Sequence, residues 1–116
     1  MNSSQWIGRF ALLLVASVMS GPLSAQGGLV RIVYTFGAGG SGDVTGRIIA
    51  EHMQKTLGVP VIMENKVGAS GRIAVDAVKS APPDGNTLLL AYMGTMVILP
   101  HTTDNVRFDS FKDFEP

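Results

Sequence analysis

Apolar residues cluster in three short runs along the chain, and each run is followed by a turn that contains glycine. The runs cover residues 29–35, 59–64 and 87–91. Near-continuous apolar runs of this length are typical of parallel strands that are covered on both faces. Pro60 is compatible with the second run because it lies near the start of that run. The sequence therefore predicts three short strands.

Between the first two runs the apolar positions change to helical spacing. Five apolar residues recur at this spacing between residues 41 and 57: Val44, Ile48, Ile49, Met53 and Leu57. The pattern predicts an amphipathic helix with one apolar face. Ser41 is the expected N-cap, Asp43 lies in the first turn where the helix dipole favours negative charge, and Gly58 is the expected stop.

The remaining elements are shorter. Residues 73–78 predict a second helix, which the paired prolines at 82–83 cannot continue. Residues 96–99 are expected to begin a helix before Pro100, and residues 106–108 are a candidate strand. Strands and helices thus alternate, which predicts an α/β fold with parallel strands and right-handed crossovers.

The first 25 residues have the features of a secretory signal. Arg9 precedes the apolar run of residues 10–19, and small residues follow it at positions 20–25. The apolar run is shorter than the roughly 20 residues that a membrane span needs. We predict a cleavable signal peptide at 1–25 and no stable membrane insertion after cleavage. The mature chain is then expected to be secreted and soluble.

Composition narrows the classes of function. The 116 residues contain nine basic and nine acidic residues and no cysteine. This balance argues against a nucleic-acid-binding surface, which needs clustered basic residues. His52 and His101 have no second ligand at metal spacing, and Ser41 does not stand in a G-x-S-x-G motif. No metal site, cofactor or catalytic residue is predicted.

Three glycine-bearing turns follow the predicted strands, at residues 37–43, 65–71 and 92–95. In parallel α/β sheets, ligands bind beyond the carboxyl ends of the strands, so these turns are expected on one rim. Glycine lets the backbone approach a ligand, and the N-terminus of a following helix favours an anion. The sequence therefore predicts an anion site at this rim.

One interpretation of this site is a dinucleotide-binding oxidoreductase of the Rossmann type. Gly37, Gly39 and Gly42 fit G-x-G-x-x-G, and Glu64 stands about 20 residues further on, where an acid holds the ribose. Three features argue against it. The chain carries a secretory signal, Asp43 would lie close to the pyrophosphate, and the fingerprint does not require the other two glycine turns.

The chain also resembles the substrate-binding receptors of tripartite tricarboxylate transporters, the Bug-type family. The resemblance runs in order from about residue 30 to the end. The segments that carry it are Val33–Asp43, Leu57–Val61, Glu64–Gly71, Ala81–Leu89 and Phe111–Phe114. The family usually has proline where this chain has Thr35, and asparagine where it has Leu99.

The resemblance implies a periplasmic solute-binding protein of the type II fold, which is not an enzyme. Two α/β lobes would enclose a small carboxylate and deliver it to the membrane permease subunits of the transporter. It implies that ligand contacts come mainly from backbone amides, hydroxyls and ordered water. The implied ligand-binding residues are Phe36, Ala38, Gly39, Gly40, Ser41, Asp43, Gly68, Ala69, Gly71, Gly94 and Thr95.

Family members also have a second lobe. Residues 26–116 are therefore expected to form an incomplete first lobe of a two-lobed solute-binding domain. Because closure of a cleft needs two lobes, the resemblance predicts a truncated receptor whose carboxylate binding is impaired. For Asp43 itself, contact with a ligand ammonium or water and a role at the helix dipole both remain open.

Overall fold

Three parallel strands form the sheet at the centre of the fold. In the computed structural model, which describes residues 28–116, they are β1 (Val30–Tyr34), β2 (Val61–Asn65) and β3 (Thr87–Leu90). Their order in the sheet is β2-β1-β3, and both pairs run parallel. The predicted α/β fold with a parallel sheet is confirmed. The signal peptide predicted for residues 1–25 lies outside the described residues.

The first helix, α1 (Ser41–Leu57), has the bounds that the apolar spacing predicted. Gly58 ends it in the left-handed conformation at φ 69°, and its amide donates to the Gln54 carbonyl at 3.0 Å. The N-cap is Gly40 rather than Ser41. The Gly40 backbone is extended and its carbonyl accepts the first intrahelical hydrogen bond, from Val44 at 3.0 Å. Ser41 is thus the first helical residue.

The face of α1 that contacts the sheet differs from the apolar face that was predicted. Gly46 and Ala50 are buried and Met53 packs against the core, one helical turn apart in each case. A side chain at Gly46 would meet the Met63 Cε at 2.5 Å, so glycine allows α1 to lie close to β2. The other apolar positions of the predicted face are exposed, namely Val44, Ile48, Ile49 and Leu57. A close approach of helix and sheet selects small residues for the buried face.

The second helix, α2 (Arg72–Lys79), covers the opposite face of the sheet. Ala74 and Val75 of this helix are fully buried, and Val33 of β1 is buried on the same side of the fold. Both faces of the central strand are therefore covered. This explains why the first apolar run has so few polar positions.

A short helical segment follows β3. A π-helical turn, Gly94–Ile98, continues into α3 (Leu99–Thr102). The expectation that a helix begins before Pro100 is confirmed. Pro100 lies in the first turn of α3, where its missing amide hydrogen costs no intrahelical bond.

The segment after α3 is held by side chains rather than by the sheet. Residues 106–108 form no strand, so this prediction was wrong. Phe108 is buried instead and packs edge-on against Phe114, with ring centroids 6.4 Å apart. The Lys79 Nζ donates to the Arg107 carbonyl and to the Asp113 carboxylate, both at 2.7 Å. These contacts fasten the segment to the end of α2.

Candidate functional site

Three loops meet at the carboxyl ends of the strands, as the parallel order predicted. We call them loop 1 (residues 35–40), loop 2 (66–71) and loop 3 (91–95). The rings of Phe36 and Tyr92 join loops 1 and 3, with centroids 5.8 Å apart. The Thr95 hydroxyl donates to the Ser70 carbonyl at 3.1 Å and joins loops 3 and 2. The three loops therefore form one rim.

Asp43 holds loop 1 in place from inside the fold. Its side chain is buried, with the residue 2% exposed. One carboxylate oxygen accepts from the Gly39 amide and the Arg47 Nε, both at 3.0 Å, and the other accepts from the Asn65 Nδ2 at 2.9 Å. Protein donors thus occupy both oxygens. We infer that Asp43 positions loop 1.

The same three donors determine the titration of Asp43. The Arg47 guanidinium most strongly, then the Gly39 amide and the Asn65 side-chain amide, lower the pKa of Asp43 from 3.8 to about 2. These groups stabilise the charged carboxylate more than burial disfavours it. Asp43 is therefore ionised at neutral pH.

Asn65 connects β2 to loop 1, and the sequence analysis did not single it out. Besides its bond to Asp43, its Nδ2 donates to the Phe36 carbonyl at 3.1 Å. Its position at the end of a strand and before a glycine turn was the only available signal. A polar side chain at that place can reach the neighbouring loop across the sheet edge.

The start of α1 presents backbone donors at the rim. Since Val44 makes the first intrahelical bond, the amides of Ser41, Gly42 and Asp43 precede the hydrogen-bond ladder of the helix. Side chains built at Gly39 and Gly40 would meet no atom within 4 Å. This end of the helix is therefore open to a small anion, which the helix dipole also favours.

Gly71 and Thr95, two predicted contact residues, are buried where loops 2 and 3 meet. Thr95 is 3% exposed. A side chain at Gly71 would lie 2.7 Å from the Thr95 Oγ1 and 3.2 Å from the Thr35 Cβ. The Thr35 hydroxyl is buried and has no hydrogen-bond partner among residues 28–116. These residues support the rim from below.

Four consecutive residues of loop 2 have positive φ angles. The φ angles are 135° at Gly68, 48° at Ala69, 56° at Ser70 and 90° at Gly71. The Gly71 amide donates to the Gly68 carbonyl at 2.9 Å and closes the turn. Left-handed conformations cost residues other than glycine about 1–2 kcal/mol each. Ala69 and Ser70 are therefore strained.

We expect the Ser70→Gly variant to be more stable than the wild type by about 0.5–1 kcal/mol, because glycine adopts this conformation without steric cost. The bond from Thr95 is kept, since it ends on the main-chain carbonyl. Ser80→Gly is the control, because Ser80 has ordinary helical angles. It should destabilise the fold in the same thermal unfolding measurement. Equal effects of the two variants would contradict the assigned strain.

Two rim glycines make room for aromatic rings that the sequence analysis did not assign to the site. A side chain at Gly42 would collide with the Tyr34 hydroxyl, and one at Gly94 would lie 2.6 Å from the Tyr92 Cε1. The conformational freedom of glycine is not the reason here, because neither residue has a positive φ. Each of these glycines leaves space for a tyrosine ring.

Glu64 does not point towards loop 1 as a dinucleotide-binding acid would. Its carboxylate lies 2.7 Å from the Lys66 Nζ. It lines a groove together with Ala77 of α2, on the sheet face opposite α1. The next residue, Asn65, is the one that reaches loop 1. This arrangement argues against the dinucleotide-binding interpretation.

Neither histidine belongs to the rim. The His52 Nδ1 lies 2.9 Å from the Ile48 carbonyl on the exposed side of α1, and His101 is exposed in α3. Residues 28–116 contain no group of three metal-ligating side chains placed to hold an ion. Within the same residues, no helix has both the length and the apolar character needed to cross a bilayer.

Comparison with known proteins identifies the family. Residues 45–116 match the tripartite tricarboxylate transporter family receptor. The chain belongs to this family. Its members are substrate-binding receptors, and neither the family nor its relatives support the dinucleotide-binding alternative. The predicted resemblance is confirmed.

Curated relatives come from several bacteria. A UPF0065 protein of Bordetella bronchiseptica is 45% identical over 87 residues, which are 75% of this chain and 26% of that protein. Protein BugT of Bordetella pertussis is 33% identical over 94 residues, 78% of this chain and 29% of that protein. The chain spans about a quarter to a third of the length of the curated relatives it matches.

Solved structures share the fold. MatC from Rhodopseudomonas palustris with bound malate is 38% identical, with a TM-score of 0.72 over 76% of this chain and 30% of that chain. A second R. palustris protein, solved with adipate, is 33% identical with a TM-score of 0.55, over 57% of this chain and 22% of that chain. The α/β unit of residues 28–116 therefore has the fold of part of a periplasmic binding protein.

Proposed function

We propose that this chain provides one side of a carboxylate-binding cleft in a periplasmic receptor that serves a tripartite tricarboxylate transporter. The open N-terminus of α1 is the observation that carries the proposal. Family membership supports it, and so do the two solved relatives that hold malate and adipate. Membrane permease subunits would receive the ligand.

The proposed contacts divide into two groups. The accessible residues would contact the carboxylate or its hydration shell: Phe36, Ala38, Gly39, Gly40, Ser41, Gly68, Ala69 and Gly94. Asp43, Gly71 and Thr95 would position the loops, because they are buried. The division follows burial and hydrogen bonding, and refines the set of residues expected from the sequence.

Two arginines lie near the rim, and each is bound to the protein itself. The side chain of Arg47 is bound to Asp43 at 3.0 Å. Arg72, at the start of α2, donates from its Nε to the Ala69 carbonyl at 3.0 Å, which places a guanidinium beside loop 2. The sequence analysis did not single out this cation. Arg72 would attract an anion to the rim, while the helix N-terminus would bind the carboxylate.

We further propose the domain organisation expected from the sequence, with a signal peptide at 1–25 and a first-lobe unit at 26–116. The solved relatives are more than three times as long as the segment matched here. One side of a cleft by itself leaves most of a ligand in water, so we expect the segment of residues 26–116 alone to bind in the millimolar range.

Gly40→Ala tests the proposed site. The Gly40 angles, φ −77° and ψ 167°, suit alanine, and a methyl group there would enter open space beside the helix N-terminus. We expect stability to change by no more than about 1 kcal/mol and the affinity for malate and adipate to fall by about tenfold. NMR titration of the full chain measures both ligands at millimolar concentration.

Gly28→Ala is the matched control. Gly28 lies before β1, at the opposite end of the sheet, where a methyl group would make only an ordinary contact with Asn86 at 3.5 Å. It should leave binding unchanged. If both variants bind malate and adipate as tightly as the wild type does, the carboxylate does not bind at the N-terminus of α1.

A further inference from the structure

Three aromatic rings form a continuous row along the rim. The Tyr34 and Phe36 centroids are 5.8 Å apart with the ring planes at 57°, and the Phe36 and Tyr92 centroids are 5.8 Å apart at 78°. These are the tilted and edge-to-face arrangements that aromatic pairs prefer. The row runs from the end of β1 through loop 1 to loop 3.

The outer part of the row is exposed. Phe36 is 42% exposed and Tyr92 is 59% exposed. Neither residue belongs to the apolar core beneath α1, which is built from Val30, Ile32, Ala50 and their neighbours. Apolar ring surface is therefore accessible beside the proposed carboxylate site.

Both ends of the row depend on glycine. Any side chain at Gly42 would displace the Tyr34 ring, and any side chain at Gly94 would displace the Tyr92 ring. One of these glycines lies in the first turn of α1 and the other in loop 3. The row is thus a built feature of the rim rather than a chance contact between exposed side chains.

The row begins at the proposed carboxylate site. The Tyr34 hydroxyl lies against Gly42, in the first turn of α1. The amides of this turn, at residues 41–43, precede the hydrogen-bond ladder of the helix. From there the surface continues over Phe36 to Tyr92. The carboxylate of Asp43 does not interrupt it, because that group is buried and bound to Gly39, Arg47 and Asn65.

We propose that the row of Tyr34, Phe36 and Tyr92 receives the apolar body of the ligand and selects carboxylates with an aromatic or extended hydrocarbon body. This inference rests on the proposed function, because the carboxylate of the ligand is held at the N-terminus of α1. Compact acids rich in hydroxyl groups leave the exposed ring surface in water. A ligand with an apolar body covers the rings and removes their surface from water, which favours binding.

Succinate and phenylsuccinate form a matched pair of probes, since both are dicarboxylates with the same spacing and only one carries a phenyl group. We expect the wild-type chain to bind phenylsuccinate about fivefold more tightly than succinate. Tyr92→Phe, which keeps the ring, should retain this ratio. Tyr92→Ala, which leaves Phe36 as the exposed ring, should lower this ratio to about twofold by weakening phenylsuccinate binding. NMR titration of the full chain with both acids gives the affinity ratio for the wild type and for each variant.

The outcomes separate this inference from the function on which it rests. Equal affinities of the two acids, with amide shifts at residues 39–42, overturn the aromatic selection and leave the carboxylate site standing. A preference that is undiminished in Tyr92→Ala also overturns it. If neither acid shifts those amides, both the proposed function and this inference fail.

Discussion

Replacing Gly71 by alanine is expected to destabilise the fold by about 3 kcal/mol. Two costs combine at this position. Gly71 has φ 90°, which an L-residue adopts at about 1 kcal/mol or more. The new methyl group would also lie 2.9 Å from the Thr95 Cγ2 and 2.7 Å from its Oγ1. Thr95 must then move, which weakens its bond to the Ser70 carbonyl and the junction of loops 2 and 3.

Gly85→Ala separates the two costs. Gly85 has a similar φ of 79°, and a methyl group there would meet no atom within 4 Å. It should therefore cost only about 1 kcal/mol. Chemical denaturation of both variants provides the comparison. If the two substitutions destabilise the chain equally, the packing of Gly71 against Thr35 and Thr95 contributes nothing to the rim.

The Asp43→Asn variant is expected to lose the ordered conformation of loop 1 and to lower Tm by about 10 °C. An amide has a single acceptor oxygen, whereas Asp43 accepts from Gly39, Arg47 and Asn65 with two oxygens. The amide nitrogen would have to face one of these donors. Loop 1 then separates from either α1 or β2, and hydrogen exchange at the Gly39 amide should become faster.

Asp76→Asn is the control for the loss of one negative charge, because Asp76 is exposed on α2. It should leave Tm and the Gly39 exchange rate near their wild-type values. If Asp43→Asn behaves like Asp76→Asn, Asp43 does not position loop 1.

Acid titration gives a second readout of the same contact. The pKa of Asp43 is lowered from 3.8 to about 2 by folding. Its contribution to stability is therefore complete above about pH 5 and is lost as the pH falls through about 2. We expect the stability of the wild type to decline more steeply over this range than that of Asp43→Asn.

Local sequence signals determined most of the fold. The helical spacing and Gly58 defined both ends of α1, and the alternation of strands and helices defined the parallel sheet. The buried face of α1 could not be predicted in this way. The exposure of Ile48 and burial of Gly46 depend on how closely the helix approaches β2, which is a tertiary property. Residues 106–108 likewise had a strand pattern, but side-chain contacts with α2 hold that segment.

The meeting of the three loops at one rim was predictable, and the contacts of their individual residues were not. Parallel topology places all three loops on one rim, whatever their sequence. The Asp43 carboxylate, which is buried, is bound by Asn65 of β2, a residue far from it in sequence. The rim glycines were equally ambiguous, since Gly40 faces open space whereas Gly42 and Gly94 accommodate tyrosine rings. Only the packing of neighbouring loops distinguishes these cases.

The central claim is that the N-terminus of α1 binds a carboxylate. Residue-resolved amide shifts of the full chain, recorded during titration with malate, test it most directly. The account predicts the largest shifts at residues 39–42, with smaller ones in loops 2 and 3. It is contradicted if malate shifts no amide at this rim, or shifts only amides at the opposite end of the sheet, such as Gly28.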